Sequence, residues 1–162
     1  MARVRCYIGL GSNLAEPEHQ LKQALAALAG LPQSRLIATA PLYRSAPMGP
    51  QEQPDYLNTV AALDTGLEPL QLLDALQAIE QRQGRVRDGE RWGARTLDLD
   101  LLLYGDRVID TPRLQVPHPG LGQRNFVLYP LYDLAPQLRL PDGRSVEQLR
   151  RACSDEGIVP LH

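Results

Sequence analysis

Apolar positions along this chain alternate between two spacings, one near two and one near about 3.6 residues, which are the periods of strand and helix. The run 5–10 (RCYIGL) predicts a first short strand, and the glycines of Gly9-Leu10-Gly11-Ser12-Asn13 predict a tight turn with close backbone packing after it. Pro17–Ala29 predicts a helix: Pro17 suits the first turn, Leu21, Ala24, Leu25 and Leu28 form a stripe, and Gly30 can end it. Residues 35–44 (RLIATAPLYR) predict a second strand whose proline argues for an edge or a bulge. A long Pro/Gly/Gln-rich loop follows. The period-two pattern of 56–64 then predicts a third strand, with Tyr56, Asn58 and Val60 on one face and Leu57, Thr59 and Ala61 on the other.

Leu72, Leu73, Leu76 and Ile79 mark the buried stripe of a second helix over 69–82, closed by Gly84. Gln77 and Glu80 lie three apart and share another face of it. Residues 85–93 are polar and glycine-punctuated, and LDLDLLLY at Leu97–Tyr104 predicts a strand that begins polar and ends in a core. Beyond it stand a short strand at 108–109, a helix over 125–135 interrupted by Pro130, and a C-terminal turn with one short helix. The order β-α-β-β-α-β predicts an α+β, ferredoxin-like sandwich: an antiparallel sheet with both helices on one face, plus C-terminal additions. No repeat or linker divides the chain, so residues 1–162 are expected to form one domain.

Chemistry enters with the polar start of LDLDLLLY. Side chains alternate across a strand, so Asp98 and Asp100 share a face with Cα atoms about 6.5–7 Å apart, while Leu99 faces the other way. Two ionised carboxylates at that separation repel by about 2 kcal/mol at an effective dielectric near 20. A site that keeps both charged is suited to a divalent cation, and hard oxygen ligands in this number suit Mg²⁺, which retains waters and takes phosphate oxygens. Just upstream stand Arg82, Arg85, Arg87, Arg91 and Arg95, with Trp92 among them. Permanently charged planar donors beside a metal-binding acid pair point to a polyphosphate substrate.

Composition narrows the classes further. The net charge of −2 does not mark the whole molecule as a binder of nucleic acid or anionic membrane; its basic character is local. The N-terminal residues lack a signal-peptide core, and no apolar run reaches the about 18 residues of a membrane span, so a cytoplasmic protein is expected. Cys6 and Cys153 lack metal-ligand spacing and read as reduced thiols. Lys22 is the single lysine against sixteen arginines, and no GxxxxGK[ST] phosphate loop exists. If nucleotide phosphates are handled here, arginines and metal ions must neutralise them.

Four blocks, YIGLGSNL, YRSAPMGPQEQPDYLNTV, RWGARTLDLDLLLYG and VPHPGLGQRNFVLYPLYDLAP, occur in order between about residues 7 and 143. Together they resemble the 6-hydroxymethyl-7,8-dihydropterin pyrophosphokinases of folate biosynthesis. The resemblance implies a ferredoxin-like fold and Mg²⁺-dependent transfer of the β,γ-diphosphoryl unit of ATP to the hydroxymethyl oxygen of the pterin, giving AMP and the pterin diphosphate. It implies two metal ions at Asp98 and Asp100, with Asp100 also placed to help take the hydroxymethyl proton. Arg85 and Arg95 are implied as transition-state contacts in a closing loop, with Arg91 and Arg87 on the nucleotide and Trp92 touching both substrates. Asp88 stands where some relatives carry a basic residue, and no ligand contact is assigned to it.

For the pterin, the resemblance implies backbone bonds and a wall from Ser45, Ala46, Pro47 and Met48. Tyr56 and Phe126 resemble the aromatic pair that sandwiches the ring, and the amide of Asn58 offers a donor and an acceptor to its edge. For the nucleotide it implies Gln77, Glu80, Leu101 through its backbone, Arg113, His118, Arg124 and Arg95. Gln115 and Pro119 replace polar or aromatic residues common at their positions. The expected partners are ATP and the pterin, without nucleic acid or membrane, in a monomer. Three rival readings are an RNA-binding ferredoxin-like sheet, a glycosidase carboxylate pair and an inactive relative. The chain lacks an aromatic-rich RNA-binding strand, and acids two residues apart cannot flank a sugar from opposite sides.

Overall fold

A computed structural model describes residues 3–13, 16–45, 55–84 and 97–161. The expected contacts at Ala46, Pro47, Met48, Arg85, Arg87, Arg91, Trp92 and Arg95 lie outside these residues, as does Asp88. Strand β1 (Val4–Ser12) lies between two antiparallel partners, β4 (Tyr56–Thr65) and β5 (Leu97–Tyr104). Two ladders carry β1 straight through Gly9 and Gly11, where the glycines alone suggested a turn. Paired on both edges, the backbone gains more from completed ladder bonds than the glycines lose in conformational freedom.

The expected second strand is two. β2 (Ser34–Thr39) pairs with the C-terminal half of β4, and β3 (Tyr43–Ser45) with its N-terminal end. Pro41 lies in the gap and has no N–H for a ladder. The gap is bridged by Ala40, whose N–H donates to Val60 O at 2.9 Å and whose carbonyl accepts from Thr59 Oγ1 at 2.8 Å. Taking β2 and β3 as one split strand, the sheet order from β5 through β1 and β4 to the split strand is that of a ferredoxin-like βαββαβ unit. A strand that sequence periodicity did not reveal, β8 (Ile158–Pro160), extends the sheet beyond β3.

Helix α1 (Pro17–Ala29) has the expected bounds, and α2 (Pro69–Gly84) runs slightly past the expected end, with Gly84 inside it. Both pack on one face of the sheet. Leu21, Ala24 and Leu28 of α1 and Leu72, Leu76 and Ile79 of α2 meet Cys6, Ile8, Leu63 and Leu101 in a continuous core. The Cys6 thiol lies in this core, and burial raises its pKa to about 12, consistent with an inert thiol. A β-bulge between β1 and β5 then turns both Leu102 and Leu103 to the opposite face, and returns Tyr104 to the first core.

That opposite face is covered by the C-terminal additions. α3 (Asn125–Leu134) and α4 (Val146–Ala152) bury Val127, Leu128, Leu131 and Val146 against Tyr7, Val60, Ala62, Leu102 and Leu103. Pro130 does not interrupt α3, because it and its neighbours Val127, Leu128 and Leu131 are buried on the sheet, which offsets the lost ladder bond. Ser145 and Gln148 form a capping box at the start of α4. A two-stranded ribbon, β6 (Ile109–Asp110) with β7 (Gln115–Val116), and a 3-10 turn at Leu121–Gln123 link β5 to α3. Among the described residues no helix is long and apolar enough to cross a membrane.

Candidate active site

α3 covers only part of the second sheet face. The uncovered part, where β1, β4 and β5 run toward the start of α3, is a cleft of about 670 Å³. Strand alternation decides what it contains. Leu57, Leu97 and Leu99 point into the helix-covered core, so Tyr56, Asn58, Asp98 and Asp100 point the other way and line the cleft. Gly9 and Gly11, opposite Asp100 and Asp98 in the ladder, line it too. Asp98 and Asp100 therefore share a face, as their spacing predicts, and Leu99 is buried behind them.

Gly11 is required by close approach. A Cβ on it would lie 2.9 Å from Asn58 Oδ1. Asn58 is itself buried, and its amide donates to Ser45 Oγ at 2.8 Å, which fixes the plane of the side chain. Tyr56 and Phe126 are half-buried and line the same cleft. The Arg124 guanidinium lies 5.9 Å from the centre of the Phe126 ring and packs across Gly120.

His118 borders the acid pair. Its backbone N–H donates to Leu102 O at 3.0 Å, and its Nδ1 accepts from Gly120 N–H at the same distance. The imidazole proton therefore sits on Nε2, which points toward Asp100 Oδ1 at 3.9 Å, too far for a direct hydrogen bond. Burial pushes the His118 pKa below its ordinary value; Asp100 opposes this shift and Arg124 adds to it. The shift favours the neutral ring, which offers its Nε2–H as a donor beside the carboxylates.

Glu80 reaches the acid pair from behind. β5 is the edge strand of the sheet, and Glu80 of α2 accepts from the Leu99 N–H at 2.6 Å. Burial raises the Glu80 pKa, the Leu99 N–H lowers it, and the charges of Asp98 and Asp100 raise it further. Gln77 and Arg113 form a separate cluster with Asp74: Arg113 pairs with Asp74 at 2.7 Å and meets Gln77 Oε1 at 3.4 Å, all at the surface. The Leu101 side chain is buried in the core, which leaves only its backbone for an external contact. Gln115 contacts Asp110 across the ribbon at 3.5 Å, and Pro119 lines a smaller cavity of about 360 Å³ on the far side of His118.

The donor set limits which metal the site could hold. Among the described residues no group of three or more His, Cys, Asp or Glu side chains forms a metal cage. Two carboxylates on one strand face, opening into a cleft, fit an ion that draws its remaining ligands from water and substrate, as Mg²⁺ does.

The sequence pattern of the 7,8-dihydro-6-hydroxymethylpterin-pyrophosphokinase (HPPK) family matches residues 7–136. The chain belongs to the HPPK family. It is 62% identical to the 2-amino-4-hydroxy-6-hydroxymethyldihydropteridine pyrophosphokinase of Pseudomonas aeruginosa over 157 residues, covering 97% of this chain and 96% of that one. It is 47% identical to the Haemophilus influenzae protein of the same name over 159 residues, covering 98% of this chain and 99% of that one. A crystal structure of Plasmodium falciparum HPPK-DHPS with pteroate superposes with a TM-score of 0.73 at 12% identity, over 93% of this chain but 42% of that one. At that identity the likeness speaks for the fold alone. Like the relatives it matches, this HPPK-family chain is a pyrophosphokinase, an ATP-dependent diphosphotransferase.

Several cleft residues carry no signal in the sequence. Gly9 and Gly11 are hidden in a motif that reads as a turn. Asn125, Glu156, Gly157 and Ile158 line the cleft because distant segments meet there.

Proposed function

We propose that this cleft transfers diphosphate from ATP to the hydroxymethyl group of 6-hydroxymethyl-7,8-dihydropterin, giving AMP and the pterin diphosphate for folate biosynthesis. The reading is carried by one observation. The two carboxylates of β5 open into the same cleft as a buried amide, Asn58, and two half-exposed rings, Tyr56 and Phe126. In this reading the pterin ring lies between Tyr56 and Phe126, and Asn58, with its plane set by Ser45, recognises its edge. The triphosphate lies over Asp98 and Asp100 toward His118 and Arg124.

The hydroxymethyl oxygen attacks the β-phosphorus. The new O–P bond forms as the bond from the β-phosphorus to the α,β-bridging oxygen breaks, and that oxygen leaves with AMP. In this reading Asp100 accepts the hydroxyl proton. The His118 N–H and the Arg124 guanidinium supply fixed donors to phosphate oxygens, which strengthens stabilisation as charge shifts. Mg²⁺ held by Asp98 and Asp100 would neutralise phosphate charge on both sides of an in-line displacement. Arg85 and Arg95 on the transferred group, Arg87, Arg91 and Arg95 on the nucleotide, Trp92 on both substrates, and Ala46, Pro47 and Met48 around the pterin complete the proposal on the family resemblance. Gln77, Glu80, Leu101 and Arg113 are assigned to the nucleotide on the same ground. The working unit is a single domain, a cytoplasmic monomer.

Calorimetric titration with a non-hydrolysable ATP analogue tests the metal half of this reading. Binding should be strong with Mg²⁺ and weak with EDTA, and Asp98→Asn with Asp100→Asn should remove that dependence. Equal affinity with and without Mg²⁺ in the parent protein would contradict it.

A further inference from the structure

The family match ends at residue 136, yet the cleft does not. Glu156, Gly157 and Ile158 line it, facing the elements that carry the proposed pterin contacts. Besides the Tyr129 hydroxyl, which donates to Cys153 O just before it, two separate attachments hold this segment in place. First, the Asn125 side-chain amide donates to two main-chain carbonyls, Ser154 O at 2.9 Å and Glu156 O at 3.0 Å. Asn125 is the first residue of α3 and immediately precedes Phe126. Second, Ile158 pairs with Ser45 in the β3–β8 ladder, and Ser45 is the residue that accepts from Asn58. Within the segment, Ser154 Oγ accepts from the Glu156 N–H at 3.0 Å, and Gly157 turns the chain at φ +83° with nothing within 4 Å of a Cβ placed on it.

We infer that segment 154–158 is a wall of the heterocycle pocket and that Asn125 is the positioning residue that sets it. This rests on the proposed reading of the cleft and adds a specificity element outside the family-matched region. One amide that spans two carbonyls ties the wall to the start of α3, and one turn further along the helix the Tyr129 hydroxyl donates to Cys153 O at 3.2 Å, so Asn125 is the attachment nearest Phe126. The β3–β8 pairing links the same wall to the Ser45–Asn58 pair. A heterocycle entering between Phe126 and β4 meets the wall as a preset boundary, and ordering it on binding would otherwise weaken affinity. The nucleotide contacts proposed at His118, Arg113 and the neighbouring Arg124 take no part in these hydrogen bonds, so the wall is expected to act on the pterin and not on ATP.

Steady-state assays of the full chain, with each substrate varied in turn, test this. Asn125→Ala and the near-isosteric Asn125→Asp both remove the double donor. Each should raise KM for the pterin alcohol about tenfold, the scale of one to two lost hydrogen bonds, with kcat within about twofold. KM for ATP should not change. Gly157→Ala is an independent variant: its Cβ meets no atom, but φ +83° strains the backbone, so it disturbs the wall without touching α3. It should shift KM for the pterin in the same direction. If folded Asn125→Ala and Gly157→Ala both keep the parental pterin KM, or if both substrates' KM values rise together, the inference is overturned. If the parent protein shows no saturable dependence on the pterin alcohol, the reading of the cleft fails instead.

Discussion

The carboxylate of Glu80 accepts a 2.6 Å hydrogen bond from the backbone N–H of Leu99, the residue between Asp98 and Asp100. The helix-covered side of the sheet thus braces the strand whose other face carries the acid pair. Glu80→Ala leaves that edge N–H without its acceptor and should cost about 1–3 kcal/mol of stability. Glu80→Gln keeps an oxygen there. The Glu80 pKa is raised in the fold, so its ionisation opposes folding, and its contribution is most favourable below the ordinary glutamate range. That contribution is lost as pH rises through the elevated value. Urea titrations across pH should therefore show Glu80→Gln gaining stability over the parent toward neutral pH, with the gap closing on acidification through that window.

Asp98→Asn and Asp100→Asn separate fold from chemistry. Both side chains are at least partly exposed, and neither contributes to the core. Removing one charge also relieves a like-charge pair. Thermal midpoints should stay level or rise, while diphosphate transfer falls by several kcal/mol of transition-state stabilisation, about 10²-fold or more. Parental turnover in either variant would remove that residue from the site.

Gly11→Ala probes the floor of the cleft. Its Cβ would stand 2.9 Å from Asn58 Oδ1, and Asn58 is held by Ser45, so the amide must tilt. The variant should lose about 1–3 kcal/mol of stability by overpacking and bind the pterin more weakly. A crystal structure should show the Asn58 side chain displaced.

Arg113→Ala distinguishes a surface ion pair from a ligand contact. The Arg113–Asp74 pair is exposed on both sides, and such pairs contribute about 0–1 kcal/mol. Melting should barely change, and a role in the nucleotide site predicts a several-fold rise in KM for ATP. No change in that KM would leave Arg113 as surface charge.

The legible parts of this protein are those governed by local period. α1 and β5 have the bounds their patterns predict, and the shared face of Asp98 and Asp100 follows from strand alternation alone. Composition misled where tertiary pairing overrides it: two ladders carry β1 through Gly9 and Gly11, and burial keeps α3 whole at Pro130. Pro41 was visible, but not that it divides one strand into two that share β4. Glu80 was legible as a position on a helix face, yet its partner, a backbone N–H on a strand nineteen residues away, was not. The C-terminal wall was invisible for the same reason, since Asn125 and Ser154 meet only in the folded chain. Tyr56, Asn58 and Phe126 are marked by the family resemblance, and the fold brings them into one cleft with the acids.

The most direct test is a product assay with purified protein, ATP and Mg²⁺. With 6-hydroxymethyl-7,8-dihydropterin present, the account predicts AMP and pterin diphosphate in equal amounts, and no AMP when either the pterin or Mg²⁺ is omitted. ADP as the nucleotide product, or AMP formed at the same rate without the pterin, would contradict it.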